Sequence, residues 1–227
     1  MSIGVLNEGP LHAALKAAYS ANGGKEEVSV QTFVADAVRN GIMYEIQTGS
    51  FSGLSRKMRA LADVGPVVLV HPIARTTTIV KQPEDGSAKP ASRKSPKRGS
   101  LIHIVNELVY LPQLLNHPNF SVEAVLTEVR EIRVFDPKKN RRRGGWRVKE
   151  KHLLDIVEGV RLQDMADLFN FLQMELPSPF DTRDLAKALD EPLDIAQKMA
   201  YCLRHAGVTE IVGKKGNALL YEYGAGG

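Results

Sequence analysis

The sequence predicts an α/β fold on a mixed sheet, followed by an α+β region, and three observations lead there. Between Ile42 and Val70 a strand-like run, an amphipathic helical run and a short all-apolar run alternate, which calls for a parallel βαβ unit. An Asn40-Gly41 step between two strand-like runs specifies an antiparallel hairpin beside it, because both residues accept positive φ. Past residue 120 two strand-like runs meet at a basic loop, and the chain ends in helix, helix and hairpin patterns. The 227 residues, 43% hydrophobic and 25% charged, suffice for one large domain or two to three small ones.

Leu11, Leu15 and Ala18 have helical spacing, and Asn22-Gly23-Gly24 breaks that helix. Val28–Val38 and Ile42–Gln47 read as strands, so the first segment reads α-β-β-α-β. Leu54, Met58 and Leu61 place a helix over Ser52–Ala62, stopped by Gly65-Pro66, and Val67–Val70 suits a strand buried on both faces. Residues 82–100 carry no large apolar side chain and are rich in Pro, Ser, Gly and Lys/Arg, the composition of a flexible linker. A helix over Leu101–Leu111 follows, then strands over Val122–Phe135 and Trp146–Val157. Asp181 or Thr182 caps a short helix through Leu185 and Leu189, a longer helix spans Leu193–Ala206, and Gly213–Asn217 is a hairpin tip. These boundaries divide the chain into 1–81, a linker 82–100, 101–176 and 177–227.

The single Cys202 excludes an intramolecular disulfide and a multi-cysteine zinc site, and reads as a small apolar residue. The six histidines form no pair at metal-ligand spacing, and only His71, at the end of the buried strand, is a candidate neighbour of an active site. No apolar run reaches membrane-spanning length, and the first residues lack a signal-peptide pattern, so a cytoplasmic protein is expected.

The chemistry concentrates in the hairpin. A two-residue loop at Asn40-Gly41 sets Asp36 opposite Glu45, with Gln47 on the same face. Two opposed carboxylates repel, and a hard divalent cation such as Mg²⁺ or Mn²⁺ between them removes the conflict. With the leading helix and the βαβ crossover, residues 10–80 resemble the PD-(D/E)XK, or restriction-endonuclease-like, nuclease superfamily. That resemblance implies an αβββαβ core, metal ligation by Asp36 and Glu45, and hydrolysis of phosphodiester bonds. Gln47 stands where the family usually has Lys, so it would orient water without adding charge, and Lys57 on the following helix, with Arg56 and Arg59 nearby, is the candidate cation. Glu26 or Glu27 matches an extra acid of some members. The amides of Thr48-Gly49-Ser50, taken to open that helix, would contact a phosphate.

Charge is uneven: residues 81–151 carry +8 and residues 152–227 carry −5, which points to a polyanion partner in the middle of the chain. Lys138, Lys139, Arg141, Arg142 and Arg143 crowd one expected hairpin tip beside Trp146, and Arg93, Lys94, Lys97 and Arg98 extend the same field. The C-terminal pattern resembles a winged helix-turn-helix, with Gln197, Lys198, Tyr201 and Arg204 outward on its second helix and Lys214 and Lys215 on the wing. Its acidity leaves two uses open, DNA binding or a protein contact, a second copy included. The expected function is a metal-dependent nuclease acting on DNA rather than RNA, in repair, restriction or defence; the alternative is a non-catalytic nucleic-acid-binding or regulatory protein on that scaffold.

Overall fold

The computed structural model describes residues 8–82, 90–136 and 144–224. Helix α1 (Pro10–Ser20) leads into strands β1 (Lys25–Val30), β2 (Phe33–Arg39) and β3 (Ile42–Ile46), helix α2 (Ser55–Val64) and strand β4 (Val67–Lys81). Pro10 occupies the first turn of α1, where a missing N–H leaves no helical bond unmade. The strand-like run Val28–Val38 divides in two. Gln31 takes φ +52° and turns the chain, so β1 and β2 pair antiparallel. The second hairpin follows from its Asn-Gly step: Asn40 and Gly41 have φ of +52° and +77°, and Val38 pairs with Met43. Strands β3 and β4 are parallel, with α2 crossing between them.

Helix α2 starts at Ser55 rather than Ser52. Phe51 is fully buried and Gly53 takes φ +84°, so residues 47–54 form a packed loop, and Thr48-Gly49-Ser50 lies within it instead of opening the helix. Strand β4 runs well past its apolar start. Strand β6 (Phe120–Phe135) pairs parallel along β4, and β7 (Trp146–Leu162) pairs antiparallel on the outer side of β6. Strand β5 (Ala91–Lys94) pairs antiparallel with the distal end of β4. The order is β1-β2-β3-β4-β6-β7, with β5 attached to β4 beyond the point where β3 stops.

Two expectations change. Residues 91–99, assigned to a flexible linker, are fastened to β4: β5 pairs with it, Ser95 N–H donates to the Thr77 carbonyl (2.8 Å), and Gly99 N–H donates to the Ala74 carbonyl (3.0 Å). Strand pairing is a backbone interaction, and a polar, basic edge strand satisfies it without apolar side chains. Residues 83–89 lie outside the described residues. The division at 81 and 101 also fails as a structural boundary, because one sheet continues through it.

Leu101–Leu111 is less regular than expected, a 3-10 turn (Leu101–Ile104) running into the short helix α3 (Val105–Leu108). The C-terminal part holds α4 (Thr182–Leu189), α5 (Leu193–His205), β8 (Thr209–Lys215) and β9 (Ala218–Tyr223). Asp181 caps α4, accepting from the amides of Arg183 (2.6 Å) and Asp184 (3.1 Å), while the Asp184 carboxylate accepts from Asp181 N–H. Gly207, at φ +81°, follows α5 in the left-handed region.

The sheet buries both faces. On one, Leu11, Leu15 and Tyr19 of α1 pack on Tyr44, Ile46, Val68 and Val70. On the other, Met58 and Leu61 of α2 join Leu69 and Val122 of the sheet, Leu108 of α3, and Leu185 and Leu203 of the C-terminal helices in one continuous core. The boundary at 177 therefore does not divide the core.

Candidate carboxylate site

The β2–β3 ladder ends at Ala37–Tyr44, one step short of Asp36 and Glu45. Met43 and Gln47 donate their amides toward β4, so the alternate amide of Ile46 points at β2. It finds the Asp36 carboxylate, donating to Oδ2 at 2.7 Å. The sequence places Asp36 directly across the ladder from Glu45; instead the strands part at this step and the aspartate side chain fills the gap. Like charges directly opposed destabilise a ladder, and parting relieves them.

Each carboxylate carries a protein cation. Lys57 Nζ, from α2, donates to Glu45 Oε1 at 2.5 Å. His12 Nε2, from α1, lies 3.3 Å from Asp36 Oδ2, and its Nδ1 lies 2.6 Å from Glu8 Oε1. An imidazole with a carboxylate at both nitrogens is a double donor, hence charged. Asp36 raises its pKa most, with Glu8 helping against burial, and the result is about 9. Burial alone would raise the Asp36 carboxyl, but His12 and the Ile46 amide outweigh it and hold the group below its ordinary value. Glu45 goes the other way. Only 6% exposed, it is pushed up to about 7 by burial and by Asp36, against the pull of Lys57. Its Oε2 is buried and has no hydrogen-bond partner among the described residues.

Gln47 leaves β3 just past this pair. Its side chain donates to the Ser50 carbonyl (2.7 Å), and its own carbonyl accepts from His71 Nδ1 (2.7 Å). Glu107 of α3 accepts from Phe51 N–H at 2.8 Å. Residues 47–51 are thus held from β4 and α3, and burial keeps His71 below the usual histidine range.

The donor set suits a hard divalent cation that keeps several waters. Asp36 and Glu45 supply carboxylate oxygens, and Glu45 Oε2 is a buried acceptor lacking a partner among the described residues. Among the described residues no group of three or more His, Cys, Asp or Glu could hold a metal ion. The extra acids are engaged elsewhere: Glu26 with Ser20 (2.7 Å) and Glu27 with Lys16 (3.2 Å).

His12 is the neighbour that sequence reasoning missed. The signal was there in Glu8, His12 and Lys16, spaced four residues apart, Glu8 just before α1 and His12 and Lys16 on one face of it. Of the other expected residues, Arg56 and Arg59 are solvent-exposed. Lys138, Lys139, Arg141, Arg142 and Arg143 lie outside the described residues. Trp146 packs edge-on to Phe135, with Lys81 over its ring. Lys198 does not project freely; it donates to Asn106 (2.7 Å) and pairs with Asp194 (3.3 Å). Gln197, Tyr201 and Arg204 line a groove of about 310 Å³ against β9, and Lys214 and Lys215 are exposed on β8. Cys202 is buried, and burial pushes its thiol up to about 12. Among the described residues no helix is long and apolar enough to cross a membrane.

Fold and site together define a mixed α/β protein with a half-buried cluster of two carboxylates and two cations where its second hairpin, β2–β3, parts. Residues 9–163 match the family model described as a domain of unknown function, DUF8091, and the chain belongs to that family. An uncharacterized protein of Treponema pallidum (strain Nichols) is 32% identical over 188 residues, covering 82% of this chain and 74% of the relative. No solved structure matches the chain.

Proposed function

We propose that this protein is a Mg²⁺- or Mn²⁺-dependent nuclease of PD-(D/E)XK type that hydrolyses phosphodiester bonds in nucleic acid, DNA rather than RNA. One observation carries the reading: Asp36, Glu45 and Lys57 converge where β2 and β3 part, with Glu45 Oε2 buried and unpartnered among the described residues. The element order α1-β1-β2-β3-α2-β4 is the order that superfamily's core requires. Asp36 and Glu45 would hold the cation, which supplies an activated nucleophile at neutral pH and positive charge at the phosphate. Lys57 provides from α2 the charge that Gln47 lacks. In this structure its ammonium pairs with Glu45, and with a cation on the two carboxylates it would be available to the phosphate. His12 fixes the orientation of the Asp36 carboxylate, and Gln47 holds the adjoining loop through Ser50. The helix–helix–hairpin order of α4, α5, β8 and β9 supports a winged helix, whose exposed Gln197, Tyr201 and Arg204 face either DNA or a protein.

A second reading, a nucleic-acid-binding protein without catalysis, is favoured by the ion pairs themselves, since each carboxylate already has a protein cation. A cleavage screen with Mg²⁺ and Mn²⁺ over single-stranded, duplex, branched and RNA substrates separates the two. The nuclease reading expects cleavage that Asp36→Asn and Glu45→Gln each abolish with the circular dichroism spectrum unchanged. Binding without cleavage on every substrate leaves the second reading standing; activity retained in either variant removes the site.

A further inference from the structure

A second concentration of charge lies at the far end of β4, away from the carboxylates. Beyond β5 the chain turns through Ser95-Pro96-Lys97-Arg98-Gly99 and is clamped at both ends, by Ser95 N–H to Thr77 and Gly99 N–H to Ala74. The second clamp depends on glycine. A Cβ at residue 99 would stand 2.6 Å from Ile73 Cγ2 and 2.7 Å from the Ala74 carbonyl, at a bulge in the β4–β6 register. Between this turn and the sheet lies a cleft of about 500 Å³, whose lining includes Thr77, Arg93, Lys97, Arg98, Glu131 and Arg133.

Its charges do not cancel. Arg133 is paired with the buried Glu131 at 2.6 Å. Among the described residues Arg98 is held by backbone carbonyls alone, those of Ser95 (2.5 Å) and Lys97 (3.1 Å), which orient the guanidinium without neutralising it. The side chains of Arg93 and Lys97 form no hydrogen bond or ion pair with the described residues. Among the described residues, three cations thus stand without an acidic partner around one open cleft, Arg93 on β5 and Lys97 and Arg98 on a turn fixed in place before any ligand arrives. Like charges gathered on an anchored turn repel one another, and an anion between them removes that repulsion.

The cleft's place in the sheet narrows the class of anion. Strands β3 and β5 occupy the same edge of β4, one after the other: Glu45 stands beside Leu69, and Arg93 beside Ile79, ten residues further along. That separation is roughly 30 Å at about 3.3 Å per residue, or roughly nine base steps at about 3.4 Å each along a strand. We infer that the Arg93–Lys97–Arg98 cleft is an anchoring site for nucleic-acid backbone phosphate, gripping a strand about nine nucleotides from the position of Asp36 and Glu45. The inference rests on the nucleic-acid reading above and adds a second point of attachment to it.

The test is fluorescence anisotropy with labelled duplexes of 6 to about 24 base pairs at several salt concentrations, in a full-length Glu45→Gln background that cannot cut. The parent should gain affinity sharply as duplex length passes roughly nine base pairs, whereas Arg93→Gln/Lys97→Gln/Arg98→Gln should lack that step. The slope of log K against log salt should fall by about 0.9 for each phosphate no longer neutralised. Arg93→Gln/Lys97→Gln, which breaks no described bond, should keep the parent's melting temperature and still leave about two phosphates unneutralised. Inorganic phosphate at matched ionic strength should compete only weakly, as a single phosphate does not span the two positions. An unchanged slope and length profile in both variants overturns the inference, as does strong inorganic-phosphate binding with nucleic-acid affinity indifferent to the three cations. Cleavage is scored separately on the unsubstituted protein, so failure of the nuclease reading leaves the binding result interpretable.

Discussion

At the residue scale the carboxylate cluster sets a pH dependence whose sign differs from that of ordinary surface acids. His12 is raised from 6.5 to about 9 in the folded chain, so its contribution to stability is complete below pH 6.5 and lost as pH rises through about 9. A difference of that size is worth roughly 3 kcal/mol, and His12→Asn should remove it, flattening the alkaline limb of a denaturant-midpoint profile. Glu45 is raised from 4.5 to about 7, so the folded state loses stability as pH climbs from 4.5 through 7 and the buried carboxyl ionises. Glu45→Gln should erase that decline. Profiles parallel to that of the unsubstituted protein in both variants would contradict the cluster's electrostatics. Asp36 acts in the usual direction: held low, it stabilises above pH 3.8 and stops doing so as pH falls through its folded value. Under the proposed nuclease function, Gln47→Lys should be tolerated, since Lys can also donate to the Ser50 carbonyl. Lys57→Ala should depress cleavage, because no other described cation bonds Glu45. The reverse pattern in matched assays would place the missing charge elsewhere.

Elements tell how firmly each part is held. The α4 cap is reciprocal, and Asp181→Ala should cost about 1 kcal/mol of global stability in urea unfolding. Strand β5 is short, exposed and, among the described residues, paired with β4 alone, so its amides should exchange from a local opening rather than from global unfolding. Gly99→Ala strikes the clamp behind it: the added methyl meets backbone at Ala74, which does not rotate away. Faster hydrogen exchange of residues 92–95 in that variant, with β6 unchanged, is the expected outcome. Unaltered exchange would mean that β5 pairing alone holds the turn. The same elements explain a misjudged linker: Gln82–Ser100 has the composition of a disordered segment, yet part of it needs only backbone bonds to lie down on β4.

On the scale of the whole molecule, one core joins parts that composition separates. Leu203 of α5, Leu108 of α3 and Leu69 of β4 belong to the same buried cluster, and the sheet runs from residue 25 to residue 162. Leu203→Ala should therefore cost about 2–5 kcal/mol and lower the single transition in which sheet and C-terminal helices melt together. Differential scanning calorimetry reads this directly. Two resolved transitions, with only the smaller one shifted, would restore the independent C-terminal domain that the sequence suggests.

Features that rest on neighbours along the chain were legible before any folding. Asn40-Gly41 fixes the hairpin register because turn conformation is a local preference; the apolar spacing of Leu11–Tyr19 and Met58–Leu61 fixes α1 and α2; and the register brings Asp36 and Glu45 to neighbouring positions. Lys57 came from the resemblance, which looks for a cation on the helix after this strand, and α2 brings its ammonium to Glu45. Packing was needed to decide that the ladder parts at Asp36, that α1 turns His12 onto it, and that residues 91–99 close a basic cleft. It also decided that the C-terminal helices share the sheet's core. These outcomes depend on desolvation and on charges brought together from distant points of the chain. A burial pattern shows which faces are apolar; which face meets which, and which cation a buried carboxylate finds there, is settled only when the layers pack.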